Sequence, residues 1–209
     1  MAPFIKSTTK TLANYHFYEL QTYPAQSLTS SGRQGKSIKN VTQQFKFELC
    51  PFDWLDQLAS GTYDPTAVDL IKEIQIRVIV FTSDVYLPSG TALQDFWNIQ
   101  DDYVLPIMNR VNRTKYTVIK DKVFRYANPN YFPDVNPVAR SVMVNGQNKG
   151  YHFTIKRRWN SITFPTDASI VPADFKKCTY VAIIPNIQNV EKEKWCMIWH
   201  MVMTMYFTS

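Results

Sequence analysis

Glycine is scarce in this chain, with six residues in 209. The motifs that depend on it are missing: there is no GxSxG, no P-loop and no GxGxxG. That excludes a glycine-rich phosphate cradle and a nucleophile carried on a tight strand-to-helix turn. Cysteine is sparse as well. Cys50, Cys178 and Cys196 are odd in number and widely spaced, with no CxxC, so neither a zinc ribbon nor a redox pair is supported. They read as the reduced thiols of an intracellular chain. The three histidines, His16, His152 and His200, stand far apart without an HxH or HExxH pattern, which a metal site on one short element requires. Asp101 and Asp102 are adjacent acids, an arrangement that usually caps a helix or faces water. No acid, base, nucleophile and metal set converges. The chain is therefore read as a non-enzyme that needs no cofactor.

Charge is also low, at 19% against the usual quarter of a soluble domain. Long hydrophobic runs are missing. The most apolar stretch, 195–207, has thirteen residues and includes His200 and Thr204, too short and too polar for the ~20 residues a helical span needs. The opening MAPFIKSTTK has no apolar h-region. Neither membrane insertion nor secretion is expected, and without a secretory route the sequons at Asn40 and Asn112 carry little weight.

Aromatic side chains are plentiful instead: 13 Phe, 12 Tyr and 5 Trp, within 45% hydrophobic residues. That load argues against disorder and suits one compact domain. It also leaves apolar surface to spare for contacts with other subunits. Residues 41–49 alternate Val41, Gln43, Phe45, Phe47 and Leu49 against Thr42, Gln44, Lys46 and Glu48, which is the period of a strand with one apolar face. IQIRVIVF (74–81) is β-branched and nearly all apolar, as in a central strand covered on both sides. Residues 116–126, 151–159, 179–184 and 195–207 follow in the same style, and 138–144 more weakly. In the last of these, Trp195, Met197, Trp199, Met201, Met203, Met205 and Phe207 share one parity. The other parity holds Cys196, Ile198, His200, Val202, Thr204 and Tyr206. Thirteen residues extend about 43 Å, and two greasy faces require cover from both sides or from a neighbouring subunit. Helix signals are brief, at 53–59, from Thr66, and at 91–98. Many strands with helices confined to connections describe an all-β protein, a β-sandwich or jelly roll of two packed antiparallel sheets. Residues 1–36, polar but with Tyr15, Phe17, Tyr18, Leu20 and Tyr23, read as an N-terminal extension that packs on the domain or on a neighbouring subunit. The domain itself occupies 37–209.

The net charge of +6 is unevenly spread. Residues 105–160 hold eleven Lys and Arg against Asp121 and Asp134, a net +9, while the remainder is at −3. Pooled positive charge favours a polyanionic partner. The cations are Arg110, Arg113, Lys115, Lys120, Lys122, Arg125, Arg140, Lys149, Lys156, Arg157 and Arg158. In 152–159, Lys156 and Arg158 share the parity of His152 and Thr154. Arg157 shares that of Phe153, Ile155 and Trp159, near the strand end where a long side chain can snorkel. Strand-borne cations beside aromatic rings bind phosphodiesters and stack bases without reading sequence. No basic helix for a major groove and no zinc-finger spacing is present, so single-stranded or non-specific binding is expected.

The segment NRTKYTVIKDKVFRY (112–126) resembles a pattern of capsid proteins from small circular single-stranded DNA viruses, the geminivirus-like and satellite-virus-like groups. Arg113, Tyr116, Val118, Ile119 and Lys122 fall on its places. IQIRVIVFTSDVYLPSGTALQDFW (74–97) resembles that family's apolar strand, loop and QDF turn. HFTIKRRWNSITF (152–164) resembles its basic-aromatic strand, and MIWHMVMTMYFTS (197–209) its closing strand. The resemblance covers roughly 40–209. It implies an eight-stranded antiparallel jelly roll that assembles with copies of itself into an icosahedral shell. It also implies a single-stranded DNA genome on the inner surface, with the protein located in the virion and, during assembly, in the host nucleus or cytoplasm. Arg110, Arg113, Lys115, Lys120, Lys122, Arg125, Lys149, Lys156, Arg157 and Arg158 are the expected nucleic-acid-binding residues. Tyr116, on the strand of Val118, is expected in a core or interface rather than under a base. One departure stands out. The family's arginine-rich N-terminal arm has no counterpart in residues 1–36, which carry only Lys6, Lys10, Arg33 and Lys36. The host and its receptor are not encoded legibly. The alternative is a jelly-roll module outside any shell, binding single-stranded nucleic acid or carbohydrate.

Overall fold

The computed structural model describes residues 4–12, 16–19, 23–27, 32–51, 73–88, 96–97, 108–127, 151–185 and 197–208. Eight strands follow in order: β1 (Phe4–Leu12), β2 (His16–Glu19), β3 (Ser37–Pro51), β4 (Glu73–Ser83), β5 (Tyr116–Ala127), β6 (Tyr151–Thr163), β7 (Tyr180–Pro185) and β8 (Met197–Thr208). Every pairing between them is antiparallel. They form two four-stranded sheets, β1-β8-β3-β6 and β2-β7-β4-β5. Among the described residues the helical structure is one 3-10 turn, Phe175–Lys177.

The two sheets close on one apolar layer, which makes the protein an all-β sandwich. Val41, Phe45 and Phe47 of β3, Ile155 of β6 and Met201, Met203 and Met205 of β8 supply one side. Ile76, Val78 and Val80 of β4, Phe124 of β5 and Val181 and Ile183 of β7 supply the other. The period-two patterns put them there, because alternate residues of a strand face the same way. At one flank the Phe153 ring stacks on Phe47 (4.6 Å between centroids) and on Phe124 (5.5 Å), bridging β6 to both sheets.

β4 is covered on its second side too, as its apolar run predicts. Ile79 and Phe81, with Tyr180, Ala182 and Ile184 of β7, lie beneath Leu87, Phe96, Val111 and Tyr116. Tyr116 is a core residue, edge-on to Phe81 at 5.5 Å. In β8, by contrast, Met201, Met203, Met205 and Phe207 are buried while His200, Val202 and Thr204 are half-buried and Tyr206 is exposed. The described residues thus cover one of its two faces.

Two bulges adjust the registers. Asn40 has a left-handed φ of 50°, which Asn tolerates better than most residues. It sits where the β3–β8 register shifts, so that Ile38 and Val41, three apart, both reach the core. The second shift falls between Val80 and Phe81, opposite Lys120 and Val118. It leaves Ile119 as the extra residue, which explains why apolar residues occur on both parities of β5.

The segment 1–36, expected to pack on the domain or on a neighbouring subunit, takes part in both sheets. β1 pairs with β8 along nine positions and β2 with β7 along four, so the first nineteen residues contribute an edge strand to each sheet. An edge strand needs only its backbone to extend a ladder, and the polar FIKSTTKTL carries no apolar alternation to announce one. The helices expected at 53–59 and from Thr66, and the strand at 138–144, lie outside the described residues, as do Trp195 and Cys196 of the tail. Of 91–98, Phe96 and Trp97 are described, and Trp97 forms a β-bridge with Val111 rather than a helical turn.

Candidate nucleic-acid interface

The outer face of the first sheet is built by register. Lys156 lies across from Gln44, Arg158 from Thr42 and Thr154 from Lys46. On the other side of β3, Thr42 meets Tyr206, Gln44 meets Thr204 and Lys46 meets Val202. Directly paired residues share a face, so Lys46, Lys156, Arg158 and Tyr206 stand on one surface. All four are exposed. At ~4.8 Å per strand, Tyr206 and Arg158 sit about 10 Å apart across β3. Glu48 is the acid on this face, and it lies 3.6 Å from His152. Among the described residues Lys46, Lys156 and Arg158 have no carboxylate partner. Three uncompensated cations beside an exposed phenol ring are a surface on which a phosphodiester chain can lie and a base can stack.

Arg157 departs from its neighbours. Its parity turns it toward the opposite sheet, where Nη1 donates to Thr179 Oγ1 at 3.2 Å and the guanidinium lies 4.7 Å from the Trp159 ring centre. Burial pushes its pKa below the ordinary arginine value, while Tyr23 and Cys178 act the other way. Its place near the strand end would leave the long side chain free to snorkel. The hydroxyl of buried Thr179, just ahead of β7, meets it instead, so Arg157 does not share the outer face of Lys156 and Arg158.

The cations of β5 and the preceding turn lie elsewhere. Lys120 and Lys122 pair with Val80 and Val78, which places them on the core side of the second sheet. Both are nevertheless exposed, because β5 is an edge strand and their long stems leave by the flank. Lys122 Nζ ends 4.8 Å from the Phe124 ring centre. Arg125 shares the other face with Gln75, and its carbonyl accepts from the Tyr151 hydroxyl at 2.6 Å. Lys115 is exposed on the turn before β5. Arg110 and Arg113 line a pocket with Arg77, Val111, Val118 and Asp121, over the outer face of the second sheet. Lys149 and Arg140 lie outside the described residues.

The single basic segment of the sequence therefore separates into a face on the first sheet, a flank, and a pocket on the far side of the sandwich. Two members of the first face, Lys46 and Tyr206, do not belong to that segment. Their signal was the alternation of β3, which put Lys46 on the polar parity, and the second parity of the tail, which held Tyr206. Arg77 was hidden in an apolar strand. No group of three or more His, Cys, Asp or Glu that could hold a metal ion occurs among the described residues, and no helix among them is long and apolar enough to cross a membrane. The sequence matches no protein-family model, and a search of curated proteins finds no match.

Proposed function

We propose that this chain is the shell subunit of a small virus with a single-stranded DNA genome, and that the sandwich is an eight-stranded jelly roll. The strand pairs support the fold reading: β1 with β8, β2 with β7, β3 with β6 and β4 with β5. Each strand pairs with its counterpart counted from the other end of the chain. That is one long antiparallel ribbon, wrapped so that its pairs alternate between two sheets, the wrapping found in jelly-roll capsid domains.

The exposed row of Lys46, Lys156, Arg158 and Tyr206 carries the functional reading. The cations neutralise phosphates and release counterions, and the phenol offers a stacking plane. Strands hold the four residues, so the surface is rigid and repeats identically in every copy of a symmetric assembly. Closed symmetry then multiplies weak contacts with the genome. Exposed apolar side chains such as Val85 and Ile170 supply surface for subunit contacts, worth about 25 cal/mol per Å² before the costs of association.

The test is size-exclusion chromatography with negative-stain microscopy of the purified chain, followed by nuclease treatment. Void-volume particles that protect single-stranded DNA are expected. A species near 24 kDa that binds single strands or sugars as a monomer would replace the shell reading with the solitary binding module.

A further inference from the structure

The pocket over the second sheet has a volume of about 400 Å³ and is lined by Arg77, Arg110, Val111, Arg113, Val118 and Asp121. Its arginines are not equivalent. Arg77 donates from Nε and Nη2 to the two oxygens of Asp121, at 2.8 and 2.7 Å. Its Nη1 donates to the Asn109 carbonyl, and its guanidinium lies 5.8 Å from the Trp97 ring centre. Its side chain is 11% exposed. Arg77 is thus a neutralised, fixed wall that also holds the backbone just before Arg110. Arg110 and Arg113 are exposed and meet no carboxylate among the described residues. The turn that bears them is braced: Asn112 N donates to Phe96 O at 2.8 Å, and Asn112 Oδ1 accepts from Thr114 N at 3.1 Å and from its hydroxyl at 2.6 Å.

Two unneutralised guanidiniums beside a paired one leave about two positive charges at the pocket. A phosphate monoester carries about −1.5 to −2 at neutral pH, with three acceptor oxygens, and a planar guanidinium suits it better than an ammonium. The volume lies within the roughly 300–1,000 Å³ of small-molecule sites, well beyond what a bare phosphate fills, and Val111 and Val118 give it an apolar wall. We propose that this pocket binds a phosphate monoester of mononucleotide size. Arg110 and Arg113 hold the phosphate, Arg77 with Asp121 shapes the wall, and the organic part lies against the valines. The site lies on the side of the sandwich away from Lys46, Lys156 and Arg158, and it depends on neither assembly nor genome packaging.

The test is calorimetric titration of the full chain with adenosine 5′-monophosphate, inorganic phosphate and adenosine in parallel. The monophosphate should bind, free phosphate more weakly, and adenosine not at all. R110Q/R113Q should weaken the monophosphate at least tenfold without moving the melting temperature, since both residues are exposed. R110K/R113K should restore part of the loss. K156Q/R158Q should leave binding as it is. The proposal is overturned if the monophosphate shows no heat at millimolar concentration, if adenosine or free phosphate binds as well as the ester, if R110Q/R113Q binds normally, or if K156Q/R158Q abolishes binding. Particle formation enters none of these readouts, so this site and the shell reading stand or fall separately.

Discussion

The guanidinium of Arg33 lies 4.0 Å from the centre of the Phe164 ring, and its side chain is wholly buried. Its nitrogens donate to backbone carbonyls: Asp167 at 2.6 Å, Ser169 at 2.7 Å, Pro24 at 3.4 Å, and Gly35. Tyr23 completes the arrangement, edge-on to Phe164 at 5.4 Å and donating to the Lys177 carbonyl at 2.9 Å. One buried cation thereby fastens the segment before β3 to the loop after β6. Burial pushes the Arg33 pKa down, and the Asp167 charge partly offsets this.

Arg33→Ala should therefore destabilise the fold by about 2–4 kcal/mol, through lost charge-assisted hydrogen bonds and an emptied site. Arg33→Lys should recover only part, since one ammonium cannot reach the same set of carbonyls. Chemical denaturation of both variants checks this. A midpoint unchanged in Arg33→Ala would show that the clasp contributes nothing.

Gln43 is a polar residue in the apolar layer, fully buried. Its Oε1 meets no donor among the described residues, and its Nε2 faces the Met205 sulfur at 4.0 Å. An unmet buried acceptor costs about 1–3 kcal/mol. Gln43→Met, similar in length and apolar, should stabilise the protein by about 1 kcal/mol and raise the melting temperature. A lower melting temperature would mean that the amide is satisfied in solution.

Met203 is buried in the middle of β8, paired with Phe45 of β3 and Lys6 of β1. Met203→Asp places a carboxylate in the inter-sheet layer, at a cost of about 4 kcal/mol or more. Soluble folded protein should be lost, while the nearly isosteric Met203→Leu should retain it. Normal expression and far-ultraviolet spectra for the aspartate variant would contradict the assigned face.

The cationic face makes a quantitative prediction for packaging. Each phosphate neutralised on a single strand adds about 0.7 to the slope of log affinity against log salt. Lys156→Ala with Arg158→Ala should therefore reduce that slope by about 1.4 per chain and lower the 260/280 absorbance ratio of purified particles, which should still form. An unchanged slope and ratio would remove the first sheet's outer face from nucleic-acid binding.

Alternation is a property of a few neighbouring residues, so it was legible in the chain. The faces of β3 and β8, the doubly buried run of β4 and the core place of Tyr116 all followed from side-chain size and parity. The β5 bulge and the strands β1 and β2 carry no such local signature. A bulge depends on what lies across the ladder, and an edge strand is recruited through its backbone.

The sequence alone determined that this is a sandwich of amphipathic strands with its positive charge pooled in one stretch. Only the tertiary structure decided where that charge goes. Residues close in the chain point to opposite sides of a strand, and consecutive strands, β4 and β5 excepted, join different sheets. Lys156 therefore shares a surface with Lys46 and Tyr206, while Arg157 turns to Thr179 and Arg113 joins Arg77 and Arg110 on the far side. Pairing across long loops sets these neighbourhoods, and no local pattern carries that information.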